Sequence, residues 1–489
     1  MTFRRMVLLG VLAVTFMTCP NVHAADWMPL VGAFHVHSSQ FSSGSHGIEE
    51  LGRMARDRAV DVIVLTDHDQ VSLSYGLPPF PNLFSWTVSR KSVLKEGAQN
   101  YLDAVNRADD ADPDVILIPG LETAPFYYWE GGLRQGKLTA HDWRKHIHVI
   151  GLDSAEDIEN LPTLRRGFST RYFFRLLPPF SIFMGVSLLS VVMIFWGGPV
   201  GLAGKILLIA AVLGAIDAHP FRLSPFDPFH GPRGGEPYQE LIDYVDQKGG
   251  MTFWAHLEAR YGEREILPFK EAAGIALPQL EMETGVHPVS LLHTEGYTGF
   301  ESLYGDTFHA TDPGKEWDRA LLQYVEGIRK RPAWGLCGLD FHEEGMTSWS
   351  RLDRGQTVFL VSEKTRAAVL DAMRHGRMYA VYQGGAGKLW LEEFRLSSPV
   401  SGESRVSGET LDTRGEPMAI KTAVALTGGP GVPIRVDLID SGKVLTTIEG
   451  ETPLNVERSF FPARSQGYIR LEISSPNHRL ISNPIFYKN

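Results

Sequence analysis

Residues 62–69 read VIVLTDHD, four apolar side chains that run almost directly into Asp67, His68 and Asp69. A short run that is apolar on both faces reads as a strand buried on both sides, as in a parallel sheet. Crowding three titratable side chains at the end of such a strand does nothing for stability, so they mark a site.

The same ending recurs along the chain. GAFHVHSS (32–39) carries His35 and His37, two apart and therefore on one face of a strand, where both could hold one metal ion. LIPGLET (117–123) ends with Glu122, HIHVIGLD (146–153) carries His146 and His148, TFWAHLE (252–258) carries His256, and GLCGLDFH (335–342) ends with Asp340 and His342. Between them HGIEELGRMARDRA, YQELIDYVDQKG, DRALLQYVEGIRKR and EKTRAAVLDAMRHGRM have helical periodicity, and LPQLEME is a further strand candidate. Alternating strands and helices predict an α/β domain over 27–384 with a parallel sheet or barrel, whose C-terminal strand ends converge on one pocket. Imidazoles and carboxylates without thiolates favour Zn, Mn or Fe.

The composition agrees with a large enzyme. The chain has 489 residues, 43% apolar and 21% charged, with room for more than one core. Its net charge of −10 speaks against nucleic acid as a partner. Residues 387–489 hold short alternating segments spaced by Gly, Pro, Asn and Ser, which predict a small all-β sandwich domain. Residues 1–24 have Arg4 and Arg5, an apolar stretch and small residues at Val22 and Ala24, the pattern of a cleaved signal peptide, with an uncleaved anchor as the alternative. Either places the rest of the chain outside the cytoplasm. Cys19 falls in that segment, leaving Cys337 without an intrachain partner.

The ordered set HxH, TDHD, GxE, a histidine before VIGL, AH and DFH resembles the PHP (polymerase and histidinol phosphatase) superfamily, over roughly residues 30–384. EWDRALLQYVEGIRKRPAWGLCGLDFH, LDAMRHGRMYAVY and the closing ISNPIFY look like its CehA/McbA carbamate-hydrolase-like branch. The resemblance implies a distorted (β/α)₇ barrel holding two or three divalent metal ions. It implies a first metal on His35, His37, Glu122 and Asp340, with Glu122 bridging to a second on His148 and His256, and a third site on His68 and His342. His148 is preferred to His146 as the histidine directly before VIGL. The acidic residue expected soon after HxH is replaced by Ser43, so the alternatives are His46 as a substitute ligand or a weak or empty third site, with Asp67 a ligand or a support to one. Two divalent ions sharing a water lower its pKa and deliver hydroxide to phosphorus or a carbonyl carbon. Asp340 is the candidate for proton transfer. Arg260 and Arg351 are candidates for meeting an anionic substrate.

One stretch does not belong to this pattern. Residues 184–216, MGVSLLSVVMIFWGGPVGLAGKILLIAAVLGAI, predict two apolar helices of 180–196 and 199–216 joined by a GGPVG turn, inserted within the catalytic domain at 178–217. Each is just under the ~20 residues that span a bilayer. A membrane hairpin and a buried helical pair are the alternatives, with Arg165, Arg166, Arg171 and Arg175 placed to meet anionic headgroups. Because the insert follows the strand of His148, it is expected on the ligand-bearing face. The whole predicts an exported, membrane-associated metal-dependent hydrolase of a phosphoester, lipid-borne in the sharper form, or of a carbamate or carboxyl ester acting on a small molecule. The alternative is a non-catalytic metal-stabilised binding protein that recognises its partner through the sandwich.

Overall fold

The β-branched and aromatic runs become strands, and seven of them pair in a closed ring. The computed structural model describes residues 27–132, 136–263, 279–305 and 309–489; the signal segment 1–24 lies outside them. The ring strands are β1 (Met28–Val36), β2 (Val62–Leu65, continued by Asp67–His68), β3 (Ile116–Ile118, continued by Gly120–Thr123), β4 (Ile147–Ile150), β5 (Met251–Trp254), β6 (Gly299–Leu303) and β7 (Trp334–Phe341). β1 pairs with β2, β2 with β3, β3 with β4, β4 with β5, β5 with β6, β6 with β7, and β7 back with β1. Phe34, Phe253, Trp254, Phe300 and Leu336 are buried in the common core. Helices α1 (Ile48–Asp57) and α2 (Ala98–Ala111) show the strand only one buried stripe each, so they flank it.

Two expectations need correction. LPQLEME is a strand (Gln279–Thr284), but it pairs with Lys137–His141 and Tyr261–Glu263 in a small sheet beside the ring. The sixth ring strand is GFESL, whose central glutamate hides it from an apolar-run search. The second correction concerns direction. β4 runs antiparallel to both neighbours, with Ile147 opposite Thr123 and Trp254, and Ile150 opposite Gly120 and Met251. The chain therefore leaves β4 at the end opposite the ligands, and the expectation that the insert follows a ligand-bearing strand end fails.

The insert nevertheless returns. Leu164 donates its N–H to the Pro125 carbonyl (3.2 Å), and the Gln70 amide donates to the Leu164 carbonyl (3.4 Å). Pro125 and Gln70 follow the ligand-bearing ends of β3 and β2. From there α3 (Phe173–Trp196) and α4 (Gly198–Asp217) run out and back as a helical pair. Glycines let them touch: a Cβ on Gly204 would meet the Ser190 carbonyl oxygen at 2.8 Å. The pair shows its apolar side chains outward, with Leu188 69% and Ile206 64% exposed, so it is not a core pair. Ser187 and Ser190 donate to the carbonyls four residues back, at 2.8 and 2.7 Å, leaving neither hydroxyl unsatisfied.

The C-terminal segment packs two sheets around Leu396, Ile420, Val436, Leu471 and Ile485. It is joined to the ring by more than the chain. After β7, β8 (Gly355–Val361) pairs with β1, β9 (Met378–Gln383) pairs with β8, and His478–Ser482 pairs with β9, so one sheet runs through residue 384. A buried ion pair locks the contact. Arg470 donates to both Asp318 oxygens (2.8 and 2.9 Å) and to the Thr311 carbonyl (2.7 Å), and the Tyr468 hydroxyl donates to Asp318 (2.7 Å). Removing one partner strands a buried charge. Arg470→Ala is expected to lower unfolding free energy in urea by about 3–5 kcal/mol, whereas Asp318→Leu/Arg470→Met recovers most of it; an Arg470→Ala loss below about 1 kcal/mol would contradict that role.

Candidate metal centre

Each strand end delivers its side chain into one cluster, and the backbone is bent to do it. His35 sits where β1 slips register against both β2 and β7, between Phe34 and Val36. His35, His256 and Asp340 have φ of 70, 27 and 48°. Non-glycine residues held there cost of order 1–3 kcal/mol each, and persist only where the surroundings over-determine them. Asp67 fixes the turn after the HxH pair: it accepts from the Ser38 N–H (2.6 Å) and hydroxyl (2.7 Å), and its burial pushes the carboxyl up to about 6. It supports the site from behind, and the charge of His37 acts on it.

Five donor atoms from four residues surround one point. His35 Nε2 lies 3.4 Å from Glu122 Oε1 and 3.2 Å from Asp340 Oδ1; His37 Nε2 lies 3.3 Å from Glu122 Oε2 and 3.2 Å from Asp340 Oδ1. A tetrahedral ion with bonds of about 2.0–2.1 Å requires donor–donor edges of about 3.3–3.4 Å. Both Nε2 atoms are buried and have no hydrogen-bond partner. Buried polar nitrogens are seldom left so, and the spacing explains them: this donor set fits a divalent cation.

Glu122 also faces a second group. Its Oε1 is 2.6 Å from His146 Nδ1 and 2.9 Å from His256 Nε2, which are 3.1 Å from each other, and its Oε2 is 3.2 Å from His68 Nδ1. His146 therefore occupies the place expected for His148. His148 points deeper: its Nε2 donates to Glu301 (3.0 Å), its ring packs edge-on against Phe34, and burial, with the charge of His35, lowers it to about 4, so it is neutral. His37, His68 and His342 form a third grouping. His46 instead pairs with Glu50 (3.0 Å), and among the described residues it joins no candidate metal group. Arg260 is exposed and off the cavity lining, and Arg351 chelates Asp353.

Glu301 escaped the sequence reading. It is fully buried, accepts from His35 Nδ1 (2.7 Å), His148 Nε2 (3.0 Å) and the His256 N–H (2.6 Å), and leaves His35 Nε2 with its lone pair toward the cluster. Burial raises its carboxyl, but His35 and His148 outweigh this and hold it at about 2. This is the carboxylate behind a ligating imidazole that fixes its tautomer. Tyr304 does the same for Asp340, donating to Oδ2 (2.9 Å).

The cluster floors a cavity of about 840 Å³ lined by His68, His146, His256, Asp340 and His342. No protein-family model matches the chain, and no curated protein is similar to it. Solved structures with low likeness exist. One is a two-domain protein containing a predicted PHP-like metal-dependent phosphoesterase from Bacteroides vulgatus, 11% identical over 91% of each chain with a TM-score of 0.34. A second, described as a metal-dependent phosphoesterase, from Bifidobacterium adolescentis, is 14% identical over 64% of this chain and 88% of its own, with a TM-score of 0.26. An amidohydrolase from Chromobacterium violaceum is 16% identical with the same coverage and TM-score.

Without metal, protons take the place of the cations. Burial lowers His37, but the Asp340 and Glu122 carboxylates beside its Nε2 prevail and push it up to about 9; burial opposes, and Glu122, Asp340 and Glu301 raise, His35. His37 is therefore charged at pH 7.5 and must deprotonate to ligate. Calorimetry in buffers of differing ionisation heat is expected to show about 1–2 protons released per metal-binding event at pH 7.5, falling as pH passes 9; a pH-independent value would contradict this. Glu301→Gln, checked for folding by thermal melt, is expected to weaken metal affinity about 10–100-fold in a chelator competition; unchanged affinity would remove Glu301 from its role.

Proposed function

We propose that the protein is a metal-dependent hydrolase of the PHP type, with a distorted (β/α)₇ barrel as its catalytic domain, acting on a phosphoester or on a carbamate or carboxyl ester. The observation that carries this reading is the close grouping of His35, His37, Glu122 and Asp340, with two buried imidazole nitrogens that no hydrogen bond satisfies, next to His146 and His256 across the same Glu122. Divalent ions held there supply Lewis acidity and an acidified water. Asp340 lines the cavity with Oδ2 held by Tyr304 and Oδ1 toward the donors, and in this reading it takes the proton of the attacking water. His68 and His342 sit at the mouth, where a third ion would meet the leaving group side.

The same reading places the protein at a membrane, exported if the 1–24 segment acts as a signal. Two helices of 24 and 20 residues with apolar exposed surfaces support it. So does the collar at their base. Phe84, Trp86, Phe168 and Phe174 are all at least half exposed, Arg166 donates to Ser85 Oγ (2.8 Å), and Arg171 and Arg175 lie over the Tyr244 and Phe226 rings. Aromatic and basic side chains favour the bilayer interface. The Ser72–Gly76 and Ser85–Ser89 ribbon ties this collar to the cavity: Asp217 at the end of α4 accepts from the N–H groups of Asn82 (2.7 Å) and Leu83 (2.9 Å) in its tip, and Val88 and Leu73 line the cavity. That arrangement supports a lipid-borne substrate.

Full-length protein loaded with Mn, Zn or Fe and assayed on a phosphomonoester, a phosphodiester and an aryl carbamate is expected to turn over one class. Asp340→Asn should lower kcat/KM about 10³-fold. It should float with phosphatidylglycerol vesicles, and Leu188→Arg/Ile206→Arg should stay behind. A folded, metal-loaded protein inert on all three classes would favour the binding-protein alternative.

A further inference from the structure

The cavity is not polar throughout. Beside the metal donors, its lining carries Leu73, Val88, Tyr127, Trp143 and Met282. They come from the ribbon and from the small sheet beside the ring. Leu73 and Val88 stand opposite each other on the ribbon strands Ser72–Gly76 and Ser85–Ser89, so their side chains share one face. Met282 stands opposite Ala140 in the small sheet. Leu73, Tyr127, Ala140 and Met282 pack as one buried cluster, with Trp143 against it.

The polar atoms of this wall are already engaged. The Tyr127 hydroxyl accepts from the Ser74 N–H (2.7 Å) and donates to the Ser74 carbonyl (3.2 Å), and Trp129 Nε1 donates to the same carbonyl (2.8 Å). The Tyr127 ring stands edge-on to Trp143, with centroids 5.9 Å apart. What Leu73, Val88, Tyr127 and Met282 offer a ligand is therefore hydrocarbon and ring surface. The patch also leads towards the helical pair. Leu164 packs against the same cluster, on the segment that enters α3 at Phe173, and the ribbon's tip is held by Asp217 at the end of α4.

A phosphate or a carboxylate fills a small part of about 840 Å³, a volume within the ~300–1,000 Å³ of cavities that bury whole drug-sized ligands. An apolar wall facing an open cavity is unfavourably hydrated until something apolar covers it. A flexible chain can follow a wall that continues to Leu164, whereas a single ring covers only part of it. We propose that Leu73, Val88, Tyr127, Trp143 and Met282 form a slot for one acyl or alkyl chain of the substrate, whose ester end sits at the metal centre. The proposal deepens the lipid-borne reading and rests on the hydrolase reading for the word substrate. Each methylene that leaves water for such a wall tightens binding by up to about fourfold, so these residues select for chain length.

Two measurements on full-length protein exchanged into amphipol decide it. Metal-free protein titrated with cis-parinaric acid, a fatty acid whose fluorescence rises in apolar sites, should show saturable binding that weakens at least tenfold in Val88→Asp. Val88→Thr keeps the side chain's shape, should weaken it about threefold, and carries the test if a thermal melt shows Val88→Asp unfolded. Equal binding in wild type and the folded variants, or no saturable binding in wild type, would overturn the slot, and neither result depends on hydrolysis. With Mn loaded, kcat/KM should rise at least tenfold from p-nitrophenyl methyl phosphate to p-nitrophenyl octyl phosphate in wild type, a gradient that collapses in the variant. A flat series in wild type would overturn the slot and leave the hydrolase reading standing. Turnover of neither ester, with parinaric acid bound, would count against phosphodiester hydrolysis and leave the slot standing. Turnover of p-nitrophenyl phenyl phosphate at least tenfold better than of the octyl diester would overturn the chain in favour of an aromatic ring.

Discussion

The two oxygens of Glu122, a side chain only 2% exposed, face five imidazoles, those of His35, His37, His68, His146 and His256, at 2.6 to 3.4 Å. One carboxylate cannot satisfy five imidazoles by hydrogen bonding. Protonating them all would bury several like charges, and leaving them neutral would strand ring nitrogens. Cations on either side of Glu122 would resolve the conflict, since His35, His37, His146 and His256 could then hold them through their lone pairs. The rest of the ring serves this arrangement: the bulge at His35, the left-handed backbone at His256 and Asp340, and the acids Asp67 and Glu301 behind the donors.

Much of this centre was legible because its residues end apolar strands, where a titratable side chain has no structural excuse. His35, His37, Glu122, His256 and Asp340 all meet in the cluster. The exchange of His146 for His148 was not legible. Two residues apart on one strand, they share a face, and only the depth of β4 within the ring decides which reaches Glu122. Glu301 was hidden for the opposite reason: it sits in mid-strand, where a lone glutamate looks like an exposed position. The signal that could have found it is its setting, since GFESL is bounded by turn residues and is otherwise strand-like. The antiparallel course of β4 also left no mark in a four-residue apolar run.

The inserted helices bear on what the site can reach. Their hydrophobicity is plain in the sequence, but their direction depends on the chain climbing back from the far end of the ring to Pro125 and Gln70. That path brings apolar helices, an aromatic and basic collar and the cavity wall together through a single ribbon. At the other side of the molecule, the sheet running through β9 and the Asp318–Arg470 pair make the C-terminal sandwich a buttress of the ring. Its outer strand Lys443–Glu451 remains largely exposed, so the buttress leaves room for the recognition role expected in the binding-protein alternative.

The central claim is that Glu122 bridges metal ions. Anomalous diffraction at a metal edge from crystals grown with Mn or Zn tests it most directly. The account predicts at least two peaks within bonding distance of Glu122, one held by His35, His37 and Asp340 and the other by His146 and His256, with His148 remaining on Glu301. A peak ligated by His148, or a folded, metal-saturated protein with no peak at Glu122, would contradict it.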